Sequence, residues 1–262
     1  MAAVGEQRIT YDARGLAEPN AEAPRTAKVT DGTAIFDARD LSTRQINLEL
    51  RRLLYEEGIT DVTVQNPGAK HSIGVGILTR CKITFEGSLG YFGCGLIDGP
   101  EVHITGRVGW SACENMMSGV VVVEGNAGSL TGAAMRGGDL VVKGRVGART
   151  GIDQKGGTIL IQGSVGSMTG FMMQRGRQII CGDVGPGLGD SMYDGELYVG
   201  GKVKALGVDC VPGEWTDADT EFIERKFRIY GLGSPPEFQK FVCGKVLYNY
   251  DSLEPSEKKL VI

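Results

Sequence analysis

Between residues 87 and 203 the apolar positions recur with one fixed pattern. Val102/Ile104, Val121/Val123, Leu140/Val142, Ile159/Ile161, Gln178/Ile180 and Leu197/Val199 are pairs spaced by two. Eleven of these twelve residues are apolar, which predicts short strands with one buried face. A second row is Leu89, Val108, Ala127, Val146, Val165, Val184 and Val203, and a third is Ile97, Met116, Met135, Gln154, Met173 and Met192. The methionines sit among apolar neighbours at constant spacing, so they read as core filling rather than as soft-metal ligands.

Glycine marks the same register. Gly87, Gly106, Gly125, Gly144, Gly163, Gly182 and Gly201 are each 19 residues apart, and one further step back reaches Gly68. A second series runs from Gly90 to Gly185, and a third from Gly119 to Gly195 with Pro100 in its first slot. A 19-residue unit is too short for a helix, a strand and two turns in one module, but it fits one coil of a parallel β-helix. The expected fold is therefore all-β: a parallel β-helix of about seven coils over residues 68–203, right-handed by the crossover rule.

An open stack needs caps. Residues 33–67 supply one. Ser42 and Gln45 form a capping box, Leu41 and Ile46 a hydrophobic staple, and the helix runs through Leu50, Leu53 and Leu54 to Gly58. Asp61–Gln65 reads as a strand and Asn66-Pro67-Gly68 as a turn into the first coil. Residues 204–262 form a predicted helical extension. Thr216 with Asp219 opens a helix through Phe222, Ile223 and Phe227, ending before Gly231, and a shorter helical segment after Pro235-Pro236 ends near Gly244. Residues 1–32 read as an arm without a core of its own.

Glycine accounts for 41 of 262 residues, without a collagen period and with only 9 prolines. The net charge of -4 leaves no basic surplus for a nucleic-acid binder. No apolar run has membrane-spanning length, and Met1–Arg14 lacks the apolar stretch of a secretory signal, so a cytoplasmic protein is expected. Six cysteines form no CxxC pair and there are two histidines, His71 and His103, so no metal site is expected. Cys94 and Cys113 stack on adjacent coils within disulfide range, in a slot that later holds Gly132, Gly151, Gly170 and Gly189; a small-residue corner is the simpler reading.

Nucleophile-elbow, HExxH and P-loop motifs are all missing. Gly185-Pro186-Gly187-Leu188-Gly189 resembles a nucleotide loop but belongs to the repeat. No catalytic, cofactor-binding or metal-binding residue is expected on this chain. The outward positions between the paired apolar residues do stand out. After His103 they are Val122, Val141, Leu160, Ile179 and Tyr198, flanked by polar rows. Such a stripe is a candidate interface, to be covered either by a partner or by a terminal helix of the same chain.

The repeat Gly-x-x-Gly-x(6)-Met-x-x-Gly-x-Val-x-Val-x-Gly resembles the GXGXG domain of the glutamate synthase large subunit. With Phe36-Asp37-Ala38-Arg39-Asp40-Leu41-Ser42-Thr43-Arg44-Gln45-Ile46-Asn47, Gly99-Pro100-Glu101-Val102, Glu114–Gly119, Leu188–Tyr193 and Leu206–Cys210, the chain is most similar to the stand-alone GXGXG subunit of N-methylglutamate synthase and glutamate synthase-like complexes. The resemblance spans roughly residues 33–250. It implies a scaffold that joins a class II glutamine amidotransferase-like subunit to an FMN-binding synthase subunit in a hetero-oligomer. FMN, with an iron–sulfur cluster as a further candidate, would sit on the synthase subunit. The implied reaction converts glutamate and methylamine to N-methylglutamate and ammonia. The β-helix subunit of formylmethanofuran dehydrogenase and formyltransferase-hydrolase complexes carries similar coils, and the segment before Gly68 favours the glutamate synthase side. A free-standing polysaccharide-binding or lyase β-helix is the other class of alternative, weakened because only Tyr198 in the stripe is aromatic.

Overall fold

Where the register places strands, the chain forms them. A computed structural model describes residues 22–244, so residues 1–21 of the expected arm and residues 245–262 of the expected extension lie outside the described residues. Strands β1 (Lys28–Thr30), β2 (Thr33–Asp37), β3 (Asp61–Gln65), β4 (Lys82–Glu86), β5 (Glu101–Ile104), β6 (Val120–Val123), β7 (Asp139–Val142), β8 (Lys155–Ile161) and β9 (Arg175–Ile180) precede β10 (Val184–Leu188) and β11 (Glu196–Val199). After them come β12 (Val203–Leu206), β13 (Cys210–Pro212) and, beyond a helix, β14 (Gln239–Cys243). β2 to β9 and then β11 form one parallel ladder. From β4 onward its register advances by 19 residues, as in Val102↔Val121 and Val121↔Leu140. This is the parallel β-helix that the repeat predicts, with about eight turns.

The stack begins before Gly68. β2 and β3 are rungs of the same ladder, at Thr33↔Asp61 and Asp61↔Lys82. The first of these coils is longer because it loops out the helix α1 (Thr43–Arg51), which continues as a five-residue π turn, Arg52–Glu56. Ser42 and Gln45 form the expected capping box. The helix buries Ile46, Leu50 and Leu53 against the main core, and Asn47 Nδ2 donates to Ser72 O at 2.8 Å. Within the expected arm, β1 pairs antiparallel with β2, and the N–H groups of Arg25 and Ala27 donate to the buried Glu49 carboxylate at 3.0 and 2.9 Å. These residues are tied to the end of the stack.

All three inward rows pack inside the prism. Val121, Val142 and Ile161 have no exposed surface, and neither do Ile97, Met116, Met135, Gln154, Met173 and Met192. The row from Val108 to Val184 stacks as single bridges, and β10 pairs with β12. The 19-residue glycines are required by close approach. A Cβ on any of the six from Gly106 to Gly201 would lie 2.5–2.8 Å from the carbonyl oxygen of the preceding glycine in the row.

The far end departs from expectation in one element. Helix α2 (Asp217–Tyr230) forms as predicted, capped by Thr216 with Asp219 and closed by Gly231 at φ +62°. The segment after Pro235-Pro236 is a strand, β14, and not a helix. It pairs antiparallel with β11 and with β13, closing an edge that would otherwise present unpaired backbone groups. Phe241 opposite Leu197 adds buried apolar surface to that edge.

Candidate functional site

The outward stripe is not an open interface. Val141, Leu160, Ile179 and Tyr198 are buried, Val122 is partly so, and all pack against Ile223 and Phe227 of α2. His103, at the head of the row, lies beside Glu124, with Nε2 and Oε1 2.8 Å apart. The helix covers the stripe because its own apolar residues, Phe222, Ile223, Phe227 and Tyr230, repeat at helical spacing and share one side. Of the two covers compatible with the sequence, the chain's own helix is the one present.

Polar groups fix the helix in place. Lys226 Nζ lies 2.6 Å from both Asp139 carboxylate oxygens, and Tyr230 donates to the same carboxylate. Tyr198 OH donates to Asp219 Oδ1 at 2.6 Å, and Lys240 on β14 bridges Asp219 and Glu196 at 2.9 Å each. Arg177 pairs with Glu196 and stacks 4.2 Å from the centre of the Phe222 ring. Burial pushes the Asp219 carboxyl up, but hydrogen bonds from Tyr198, Lys240 and Thr216 outweigh it and hold the pKa at about 2. Burial and the Asp219 carboxylate push the Tyr198 hydroxyl above its ordinary range. Every charge in the cluster has a partner, so it acts as a clamp.

The thiols are equally quiet. Cys94 and Cys113 are buried and free, and burial raises Cys94 to about 12. Burial and the neighbouring Cys94 raise Cys113 well above the usual thiol value. Their slot is a left-handed corner, with φ +54° and +57°, which the later coils fill with glycine. That is the small-residue corner expected from sequence. Among the described residues no group of three His, Cys, Asp or Glu side chains could hold a metal ion. No helix among them is long and apolar enough to cross a membrane.

A second group of exposed side chains lies on another side, where the row from Leu89 to Val203 faces inward. Trp110 is 64% exposed and Tyr91 49%, on adjacent coils, and Arg107, Arg145 and Lys202 are exposed on coils along the same side. The paired apolar positions of the strands carry no sign of these residues. Their signal was the register itself: Tyr91 and Trp110 are 19 apart, as are Arg107, Asn126 and Arg145.

No family model matches the chain, and no curated protein matches it either.

Proposed function

We propose that the chain is the non-catalytic scaffold subunit of a multi-subunit, FMN-dependent N-methylglutamate synthase. In that role it joins a class II glutamine amidotransferase-like subunit to an FMN-binding synthase subunit. The observation that carries this reading is the unbroken 19-residue register, whose glycine and methionine positions resemble those of the GXGXG domain. The fold is in keeping with it: a stiff prism of stacked coils holds two partners at a fixed separation without moving parts. The side chains support it too, since the charged groups around α2 are satisfied within the chain and clamp that helix.

The test is composition. The tagged chain, recovered under native conditions from its own cells, is expected to bring both partners at fixed stoichiometry in a complex that absorbs as a flavoprotein. A molybdopterin- or zinc-bearing partner would point to the formyl-transfer complexes instead. Recovery of the chain alone would remove the reading.

A further inference from the structure

The side of the prism built on the row from Leu89 to Val203 is paved with two glycine series and has three clefts along it, of about 480, 360 and 660 Å³. One flank of this face alternates short and long residues. Ser88 Oγ accepts from Arg107 N at 3.1 Å, and Asn126 Oδ1 accepts from Arg145 N at 2.8 Å. The short residues thus satisfy the next coil's backbone and leave the guanidinium groups of Arg107 and Arg145 without any ion pair among the described residues. Lys202 and Lys204 are exposed at the far end of the row. Lys70, at the near end, donates to the carbonyls of Ala38 and Arg39, at 2.8 and 3.1 Å, and makes no ion pair among the described residues.

Five cations without an ion pair among the described residues therefore line clefts in which the exposed acidic residues are Glu86 and Asp183. Glu86 accepts from Gln65 Nε2, and Asp183 from Lys202 N, both at 2.8 Å. This happens on a chain whose net charge is -4. The charge is segregated onto the glycine-paved face.

An aromatic cleft lies at the near end. The His71 ring fills the space over Gly90, and Trp110 Cδ1 would come within 2.5 Å of a Cβ on Gly128. Gly109, between them, has only backbone packed over its Cβ position and lines the cleft together with Tyr91 and Arg107. Tryptophan, tyrosine and arginine are the residues that dominate binding energy at protein interfaces.

We propose that this face docks an extended acidic segment of a partner polypeptide. Its carboxylates meet Arg107, Arg145 and Lys202, and one aromatic or apolar side chain enters the cleft between His71 and Trp110. Arg107 and Arg145 are two coils apart, about 9.6 Å, close to one turn of an extended polyproline II chain, in which every third side chain returns to the same face after about 9.3 Å. A nucleic acid fits less well, because it carries a phosphate at every nucleotide and the chain as a whole repels it. The inference rests on the scaffold reading and names the chemistry of one partner.

The test uses the whole chain and a fluorescein-labelled random copolymer of glutamate and tyrosine, read by fluorescence anisotropy. The copolymer is expected to bind, more weakly as salt rises. Reversing two charges with Arg107→Glu and Arg145→Glu is expected to weaken it about tenfold or more. Trp110→Ala should weaken the copolymer several-fold yet leave polyglutamate unchanged. Circular dichroism and melting of each variant show that the coils persist. Lack of binding, equal binding by the charge-reversed variant, or stronger binding of polyuridylate would overturn the proposal. If the native complex assembles while the copolymer fails to bind, this inference falls and the scaffold role stands. If the copolymer binds but no complex exists, the scaffold role is the one that falls.

Discussion

Removing the Phe227 side chain with Phe227→Ala should release α2 and leave the solenoid intact. Phe227 and Ile223 are each 2% exposed, and they are the fully buried apolar residues with which the helix grips Val141, Leu160, Ile179 and Tyr198. Burial of such side chains contributes about 1.5–3 kcal/mol each, so the apolar grip amounts to roughly 3–6 kcal/mol. Truncating a buried phenylalanine to alanine costs about 3–5 kcal/mol, most of that grip. A 14-residue helix is marginal on its own, so the loss is expected to appear as local opening. The coils keep their own ladder, because β11 still pairs with β9 and β14. Hydrogen exchange should show amides of 217–230 losing protection by about 3 kcal/mol or more, while those of β6 to β8 are unchanged. The bared stripe should then bind a hydrophobic dye. Phe227→Leu, which keeps most of the volume, should stay within about 1.5 kcal/mol of the parent. Full protection of α2 in Phe227→Ala, or simultaneous loss of the strands, would refute the picture of a helix clamped onto an independent stack.

Three further outcomes are expected. Asp219 has its folded pKa lowered to about 2 from an ordinary 3.8, so the stability it adds is present above about pH 4 and lost as pH falls through 2; Asp219→Asn should flatten this part of the acid profile of α2 protection, and an unchanged profile would remove Asp219 from the clamp. Gly144→Ala places a Cβ 2.6 Å from Gly125 O on a locked ladder and should cost about 3 kcal/mol. Gly233→Ala has open space and pays only for its φ of +79°, about 1–2 kcal/mol, so equal melting of the two variants would contradict the close-approach account. The core holds one buried acceptor without a partner among the described residues, Gln178 Oε1, while Gln178 Nε2 donates to Gln154 Oε1 at 2.9 Å. Gln178→Leu alone strands Gln154 and should cost about 1–3 kcal/mol, whereas Gln154→Met with Gln178→Leu should be neutral or stabilising; a double variant as unstable as the single would argue against this.

The coils were legible because every one presents the same environment to the same slot, so Val121, Val142 and Ile161 repeat what Val102 begins. Helix α2 was legible from its caps, Thr216, Asp219 and Gly231, which act within a few residues of chain. The surface that α2 covers was not, since an amphipathic helix matches any apolar stripe and the choice is made by distant partners such as Lys226 with Asp139. β14 is not legible for a similar reason: five residues hold little intrinsic preference, and the open edge of β11 decides. β2 and β3 do not show as rungs in the sequence because α1 is inserted between them and breaks the period. The basic face was hidden by composition, since an acidic total conceals where unpaired arginines gather.

The central claim, that this chain serves by holding other subunits and not by chemistry, is tested most directly by subtraction and return. The proposed complex is to be assayed for N-methylglutamate formation from glutamate and methylamine, then stripped of this chain, then given it back. Turnover is expected to fall on removal and to recover on return, with the flavin remaining on the proposed partner and the isolated chain inert. Undiminished turnover without the chain, or turnover by the isolated chain, would contradict it.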